Sequence, residues 1–129
     1  MGLKDCRVGA LMAVSDLDAA RRFYEDQLGL VPRRAGVRSF RHRCAEGTSI
    51  FVYLQPHNAG ASPATLAGWT VDDLDQTMDE LSSRGVHFEH DDQPGVKTND
   101  RGVFDGGDFR PAWIKDPDGN TMAITQFSS

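Results

Sequence analysis

Four histidines, His42, His57, His87 and His90, are the side chains best suited to bind a metal or move a proton near neutral pH. His87 and Glu89 stand two apart on an extended segment, so they share a face at a chelating spacing. The same run continues as Glu89-His90-Asp91-Asp92, which a solvated strand edge would also produce. His57 falls in the loop Gln55-Pro56-His57-Asn58-Ala59-Gly60. His42 alternates with Phe40 and Cys44, which points it inward, either as an acid–base group or as a buried neutral imidazole. Phe40, Phe51, Tyr53 and Trp113 offer aromatic faces that either stack on a planar ligand or fill the interior themselves.

Other chemistries find less purchase. Asp116-Pro117-Asp118-Gly119-Asn120 has the look of a calcium loop but lacks its later bidentate glutamate, and a hairpin turn explains each residue. Cys6 and Cys44 are too few for a zinc site or a disulfide scaffold. They read as free thiols of a reducing compartment, a single bridge being the alternative. There is no Gly-x-Ser-x-Gly elbow, phosphate loop or dinucleotide fingerprint. Gly106-Gly107 reads as loop.

Elements able to position these side chains come twice. Val14-Ser15-Asp16-Leu17-Asp18 returns 57 residues later as Val71-Asp72-Asp73-Leu74-Asp75. Each copy closes a strand and opens a helix. Ser15 or Asp16 caps the first helix and Asp72 or Asp73 the second. Leu17, Ala20, Phe23, Tyr24 and Leu28 line one face of the first, and Leu74, Met78 and Leu81 one face of the second. The helices stop at Gly29 and Gly85. Strands are expected at Val8–Val14, near Pro32, at Val37–Cys44 and Thr48–Gln55, then at Thr65–Val71, Val86–Glu89, about Ala112–Lys115, and Thr121–Phe127.

Alternation divides these strands into two faces. Val8, Ala10, Met12, Val14, Ile50, Val52, Leu54, Ala67, Trp69, Val71, Met122 and Ile124 suit packing under a helix. Gly9, Leu11, Ala13, Ser49, Phe51, Tyr53, Leu66, Gly68, Thr70, Thr121, Ala123 and Thr125 suit a cavity wall. On the stretch Arg33–Arg43, Ser39 and Arg41 fall on the wet side together with Arg43. Gln93–Asp108 is the longest irregular segment, a lid or binding loop whose Asp100, Arg101, Asp105, Asp108 and the adjoining Arg110 could meet a polar ligand.

Composition narrows the partners. A formal charge of −5 argues against nucleic acid or an anionic membrane surface. Nothing approaches the ~20 apolar residues of a membrane helix, and Met1–Val8 lacks the apolar run of a signal peptide. A chain of 129 residues suits one domain, 1–129, with modules at about 7–57 and 64–128.

This pattern resembles the vicinal oxygen chelate superfamily of glyoxalases, bleomycin-resistance proteins and extradiol dioxygenases. The residues that carry the likeness are the run Val14 to Tyr24 with Leu28-Gly29-Leu30, the second run Val71 to Asp75 with Arg84-Gly85-Val86, and the ending Trp113 to Asn120. The resemblance implies an α+β fold, with two βαβββ modules forming facing curved mixed sheets and helices outside. In metal-dependent members it implies four ligands, which map here onto Gly9, Leu66, Ala123 and about Phe51. None of these side chains can donate a lone pair to a cation. The expectation is therefore a protein without metal or other cofactor that binds or sequesters a small organic molecule. Its site would comprise Phe40, His42, Phe51, Tyr53, Leu66, Trp113 and Ala123. Two alternatives stand beside it: an enzyme working without the usual metal, through His42, Tyr53 or a loop carboxylate, and a metal enzyme with other ligands. A cytoplasmic homodimer is expected, from the resemblance and because the uncharged first strands of each module need a neighbour at their edges.

Overall fold

The structure, a computed structural model, describes residues 2–92 and 94–128. Met1, Gln93 and Ser129, which end three of the segments read above, lie outside the described residues, as does the side chain of Arg34.

Module one comprises β1 (Ala10–Val14), α1 (Leu17–Arg21), β2 (Val31–Ala35), β3 (Ser39–Arg43) and β4 (Ser49–Leu54). Its sheet runs β1-β4-β3-β2, with β1 parallel to β4 and the other pairs antiparallel. Module two comprises β5 (Thr65–Thr70), α2 (Leu74–Ser83), β6 (Phe109–Lys115) and β7 (Thr121–Phe127), in the order β5-β7-β6 with β5 parallel to β7.

Both helices start on an aspartate. Asp16 Oδ1 accepts from the Ala19 amide at 3.1 Å and Asp73 Oδ1 from the Gln76 amide at 3.0 Å, satisfying donors that a first helical turn leaves free. Both are followed by a glycine at positive φ, Gly29 at 76° and Gly85 at 89°, a conformation in which a Cβ is strained. Past Arg21 the first helix widens into a π-helical turn, Arg22–Gln27, closed by Leu28 N–H to Phe23 O. This turn carries Phe23 and Tyr24 into the interior together.

The strand expected at Val86–Glu89 is reduced to one bridge, Phe88 to Ile114, with Glu89 N–H donating to Trp113 O. Val86 and Phe88 are buried, so side-chain packing holds this segment where a full ladder does not form. In turn, β6 begins at Phe109, earlier than expected, and takes in Pro111. Pro111 has no N–H to give, and on the outer edge of the sheet only its carbonyl is used, accepting from Phe104 N–H.

Residues 94–108 are laid down on the rest of the chain. Val103 is buried and bridges to Ala112, and Arg101 reaches Asp75 at 3.2 Å and Asp79 at 2.7 Å on α2. One apolar cluster joins the two modules, from Met12, Val14, Phe23, Ile50 and Val52 to Leu74, Met78, Ile114, Met122 and Ile124. Each such side chain contributes about 1.5–3 kcal/mol by leaving water. Val8, assigned above to the helix-facing set, is instead exposed, because it precedes β1 and has no helix over it. Strands β1 and β5, the uncharged edges of the two sheets, approach each other within the chain across a cleft, with no ladder between them.

Candidate functional site

The side of sheet one turned away from the helices is an ordered grid. Register pairs Arg41 with Phe51 and Phe51 with Leu11; it pairs Ser39 with Tyr53 and Tyr53 with Ala13. Arg43 stands opposite Ser49, and Gly9 lies against Ser49. Partners directly across a ladder point to one face, about 5 Å apart. The rings of Phe51 and Tyr53 stack along β4, with centroids 6.1 Å apart. Leu11 stands beside them 65% exposed. A cleft of about 560 Å³ runs along this face between Arg7, Leu11, Arg41, Gly47 and Phe51.

Sheet two repeats the arrangement. Gly68 pairs with Ala123 and Ala123 with Trp113, the same topological row as Leu11, Phe51 and Arg41. Trp113 Nε1 donates to Thr65 Oγ1 at 3.1 Å, which fixes the indole across the sheet. A cleft of about 800 Å³ lies here between Trp113, Thr65, Thr121, Lys115, Glu89 and His90. Lys115 and Glu89 approach to 3.7 Å, and His90 Nε2 lies 2.9 Å from Asp100 O. Leu66 sits at a bulge between Thr65 and Ala67, 41% exposed, and lines a smaller cleft between β5 and the Gly9–Ser49 side of module one.

Five of the seven expected site residues, Phe51, Tyr53, Leu66, Trp113 and Ala123, thus share the open faces. The other two do not. Phe40 and His42 pair with Val52 and Ile50 and point under α1, into the core. Alternation had identified a face pointing inward, but the inside it meets is the helix layer and not the cleft. His42 is 0% exposed. Its Nε2 lies 2.9 Å from Glu25 Oε2, its ring stacks on Tyr24, and its Nδ1 has no hydrogen-bond partner among the described residues. Nε2 is thus the ring nitrogen that meets the carboxylate. Glu25 also accepts from Arg21 Nε at 2.9 Å, and the Arg21 guanidinium lies 4.7 Å over the Phe40 ring. Partial burial pushes the Glu25 carboxyl up, but the bonds from Arg21 and His42 outweigh it and hold it below its ordinary value. Reach from Arg21 to Glu25 is the one-turn spacing, a signal legible in the chain but passed over above.

A second polar cluster closes the module boundary. Asp116 is buried and accepts from Tyr24 Oη at 2.8 Å, Asn120 Nδ2 at 2.8 Å, and the amides of Asp118 and Asn120. Asn120 Nδ2 also donates to Ala13 O, and Asn120 Oδ1 accepts from Gly60 N–H. Asp118 takes the amide and hydroxyl of Ser15. Burial, then the Asp116 charge, raises the Tyr24 hydroxyl far above its ordinary value. These groups are saturated and structural.

The open faces carry what a divalent cation would have to meet. Gly9, Leu66, Phe51 and Ala123 stand on them, and none has a donor atom in its side chain, so these residues do not fit a metal. Among the described residues no group of three or more His, Cys, Asp or Glu is placed to hold one. No helix of the described residues is long and apolar enough to cross a membrane. Cys6 and Cys44 are free thiols.

Residues 8–124 match the family model described as Glyoxalase/Bleomycin resistance protein/Dioxygenase superfamily. No curated protein matches the chain. Among solved structures, a glyoxalase/bleomycin resistance protein/dioxygenase from Alicyclobacillus acidocaldarius is similar at TM-score 0.71 and 20% identity, over 97% of this chain and 93% of that one. A glyoxalase/bleomycin resistance protein from Catenulispora acidiphila DSM 44928 reaches 0.68 at 27% identity, over 93% and 96%. TnmS3, an antibiotic binding protein from Streptomyces sp. CB03234, reaches 0.63 at 21% identity, over 96% and 98%.

Proposed function

The chain belongs to the Glyoxalase/Bleomycin resistance protein/Dioxygenase superfamily, and from that premise we propose that it binds and sequesters a small organic molecule on the open faces of its two sheets. The observation that carries this reading is the content of those faces. Aromatic side chains, Phe51, Tyr53 and Trp113, occupy them together with Leu11 and Leu66, while the positions implied for metal ligands hold side chains without donors. Apolar and aromatic walls with a few placed polar groups are what small-molecule sites are built from. The similarity in fold to an antibiotic binding protein supports the reading at the level of architecture.

We place the protein in a reducing, cytoplasm-type compartment, in keeping with its two free thiols. We further propose a homodimer. Its motive is the exposed Leu11 and Leu66, since a second copy meeting these faces turns open clefts into an enclosed pocket.

An enzyme of the same fold is the second reading, and Tyr53 is the observation that favours it, as the one acid–base side chain among the predicted site residues that stands on the open face. Native mass spectrometry of the tag-free protein with elemental analysis tests the sequestration reading. The expected result is a carried organic molecule, or an empty protein that takes one up, with no stoichiometric nickel, zinc, manganese or iron. A bound metal ion held on the sheet faces would overturn the sequestration reading in favour of metal chemistry.

A further inference from the structure

We propose that the ligand taken by sheet one is a planar aromatic molecule bearing an oxyanion, a carboxylate in the simplest case, with the ring on Phe51 and the anion between Arg41, Arg43 and Arg7. The inference rests on the binding reading above and specifies its ligand class.

Charge is distributed unevenly along the chain. Residues 1–57 hold nine Lys and Arg against six Asp and Glu, whereas residues 58–129 hold five against thirteen. Five of the nine stand in the run Arg33 to Arg43, and the register of β3 brings Arg41 and Arg43 to the open face. Arg41 is the direct cross-strand partner of Phe51, and Arg43 that of Ser49. Arg7 enters the same cleft from the chain ahead of β1. Among the described residues none of these three guanidinium groups has a carboxylate within 4.0 Å; the arginines so paired are Arg21, Arg101 and Arg110.

The seat for Arg7 is built by the backbone. Gly47, at φ 79°, lies directly beneath its side chain, and a Cβ there would sit 2.8 Å from Arg7 Nε and 3.1 Å from Cδ. Only a glycine allows the arginine to lie across the turn between β3 and β4 and reach the cleft.

Chemistry then selects the ligand. A guanidinium presents a planar fork that matches a carboxylate with two hydrogen bonds and is weakly hydrated enough to work beside apolar surface. Phe51 and Tyr53 supply stacked ring faces, and Leu11 an apolar floor. Cross-strand partners lie about 5 Å apart, so a substituent one ring's width from the stacked ring meets Arg41. A cation in the same cleft would face unpaired positive charge. A neutral molecule would gain the stacking but leave the arginines unused.

The test is calorimetric titration of the intact protein with three probes of one shape: 2-naphthoate, 2-naphthylmethanol and 2-naphthylmethylammonium. Naphthoate is expected to bind about tenfold or more tightly than the alcohol, as one charge-assisted pair of bonds implies, and to weaken as salt is added. Arg41→Gln should bring naphthoate down to the alcohol's affinity and leave the alcohol unchanged. Arg22→Gln, on the exposed side of the helix, should change neither. Equal or tighter binding of the alcohol or the ammonium overturns the anion assignment while leaving a small-molecule binder. Failure of all three probes overturns it as well, and the broader reading then stands or falls on the native mass spectrum.

Discussion

The Tyr24 hydroxyl donates to Asp116 Oδ2 at 2.8 Å, joining the first helix of module one to the closing turn of module two across 92 residues of chain. Both groups are buried. Their removal separates two magnitudes. Tyr24→Phe leaves Asp116 with its other donors and should cost about 1–2 kcal/mol. Asp116→Ala strands the Tyr24 hydroxyl, the Asn120 amide groups and the Asp118 amide together, and should cost roughly 3 kcal/mol or more. Urea titration measures both, and an Asp116→Ala variant as stable as the parent would refute the account.

Acid should act through Glu25. Its carboxyl is held below its ordinary value in the fold, so the folded state binds fewer protons there than the unfolded state. That contribution is fully present above the unfolded carboxyl value of about 4.3 and is lost as pH falls through the folded one. Glu25→Gln should therefore flatten the stability profile as pH falls below about 5. At the other end, the raised Tyr24 hydroxyl makes stability fall once pH climbs past about 10. An unchanged acid limb in Glu25→Gln would assign acid sensitivity elsewhere.

The two faces of β4 should respond differently. Ile50→Asp places an unpaired carboxylate under α1 beside His42 and should prevent folding. Tyr53→Ala, on the open face, should leave the circular dichroism spectrum intact and alter ligand affinity. Comparable loss of stability in both would mean that the face assignment fails.

Gly60 should not tolerate a side chain. Its φ is 64°, and a Cβ would collide with the carbonyl oxygen of Asp118. Gly107, at φ 87° with open space around it, is the matched control. Gly60→Ala should cost clearly more than Gly107→Ala, which bears only the backbone cost of about 1 kcal/mol. Thermal melts of the pair decide it.

Light scattering at micromolar concentration should give twice the 14.2 kDa chain mass. A monomer mass would remove the second copy from the binding account.

What could be read from the sequence was mostly local. The caps Asp16 and Asp73 and the stops Gly29 and Gly85 are signals spanning a few residues, repeated at one offset, and they lie where the repeat puts them. The alternation of β4 also holds, because period two is a property of the strand itself. Phe40 and His42 show where such reasoning thins. Alternation says that two faces differ, but which one a helix covers depends on partners such as Tyr24 and Glu25 from another element. The strand at Val86–Glu89 failed for a related reason: its buried pattern is real, while its ladder needed a length of regular backbone that the following Asp91 and Asp92 do not continue. Arg41 and Arg43 were legible as a wet face, yet their relation to Phe51 appears only with the register.

The two modules have parted company at one turn. Cys44 N–H bonds to Thr48 O in the first, as Asp116 N–H bonds to Asn120 O in the second, so the two loops are the same device in duplicate. Where module two sets Asp116, Asp118 and Asn120, each tied into its neighbour, module one sets Cys44, Glu46 and Thr48, whose side chains make no hydrogen bond beyond their own loop among the described residues, and leaves Gly47 as a gap for Arg7. One copy became the rivet that holds the halves together and the other stayed free to meet solvent and solute. Exchanging the two pentapeptides would leave both hairpins intact while undoing the rivet at one end and closing the gap at the other.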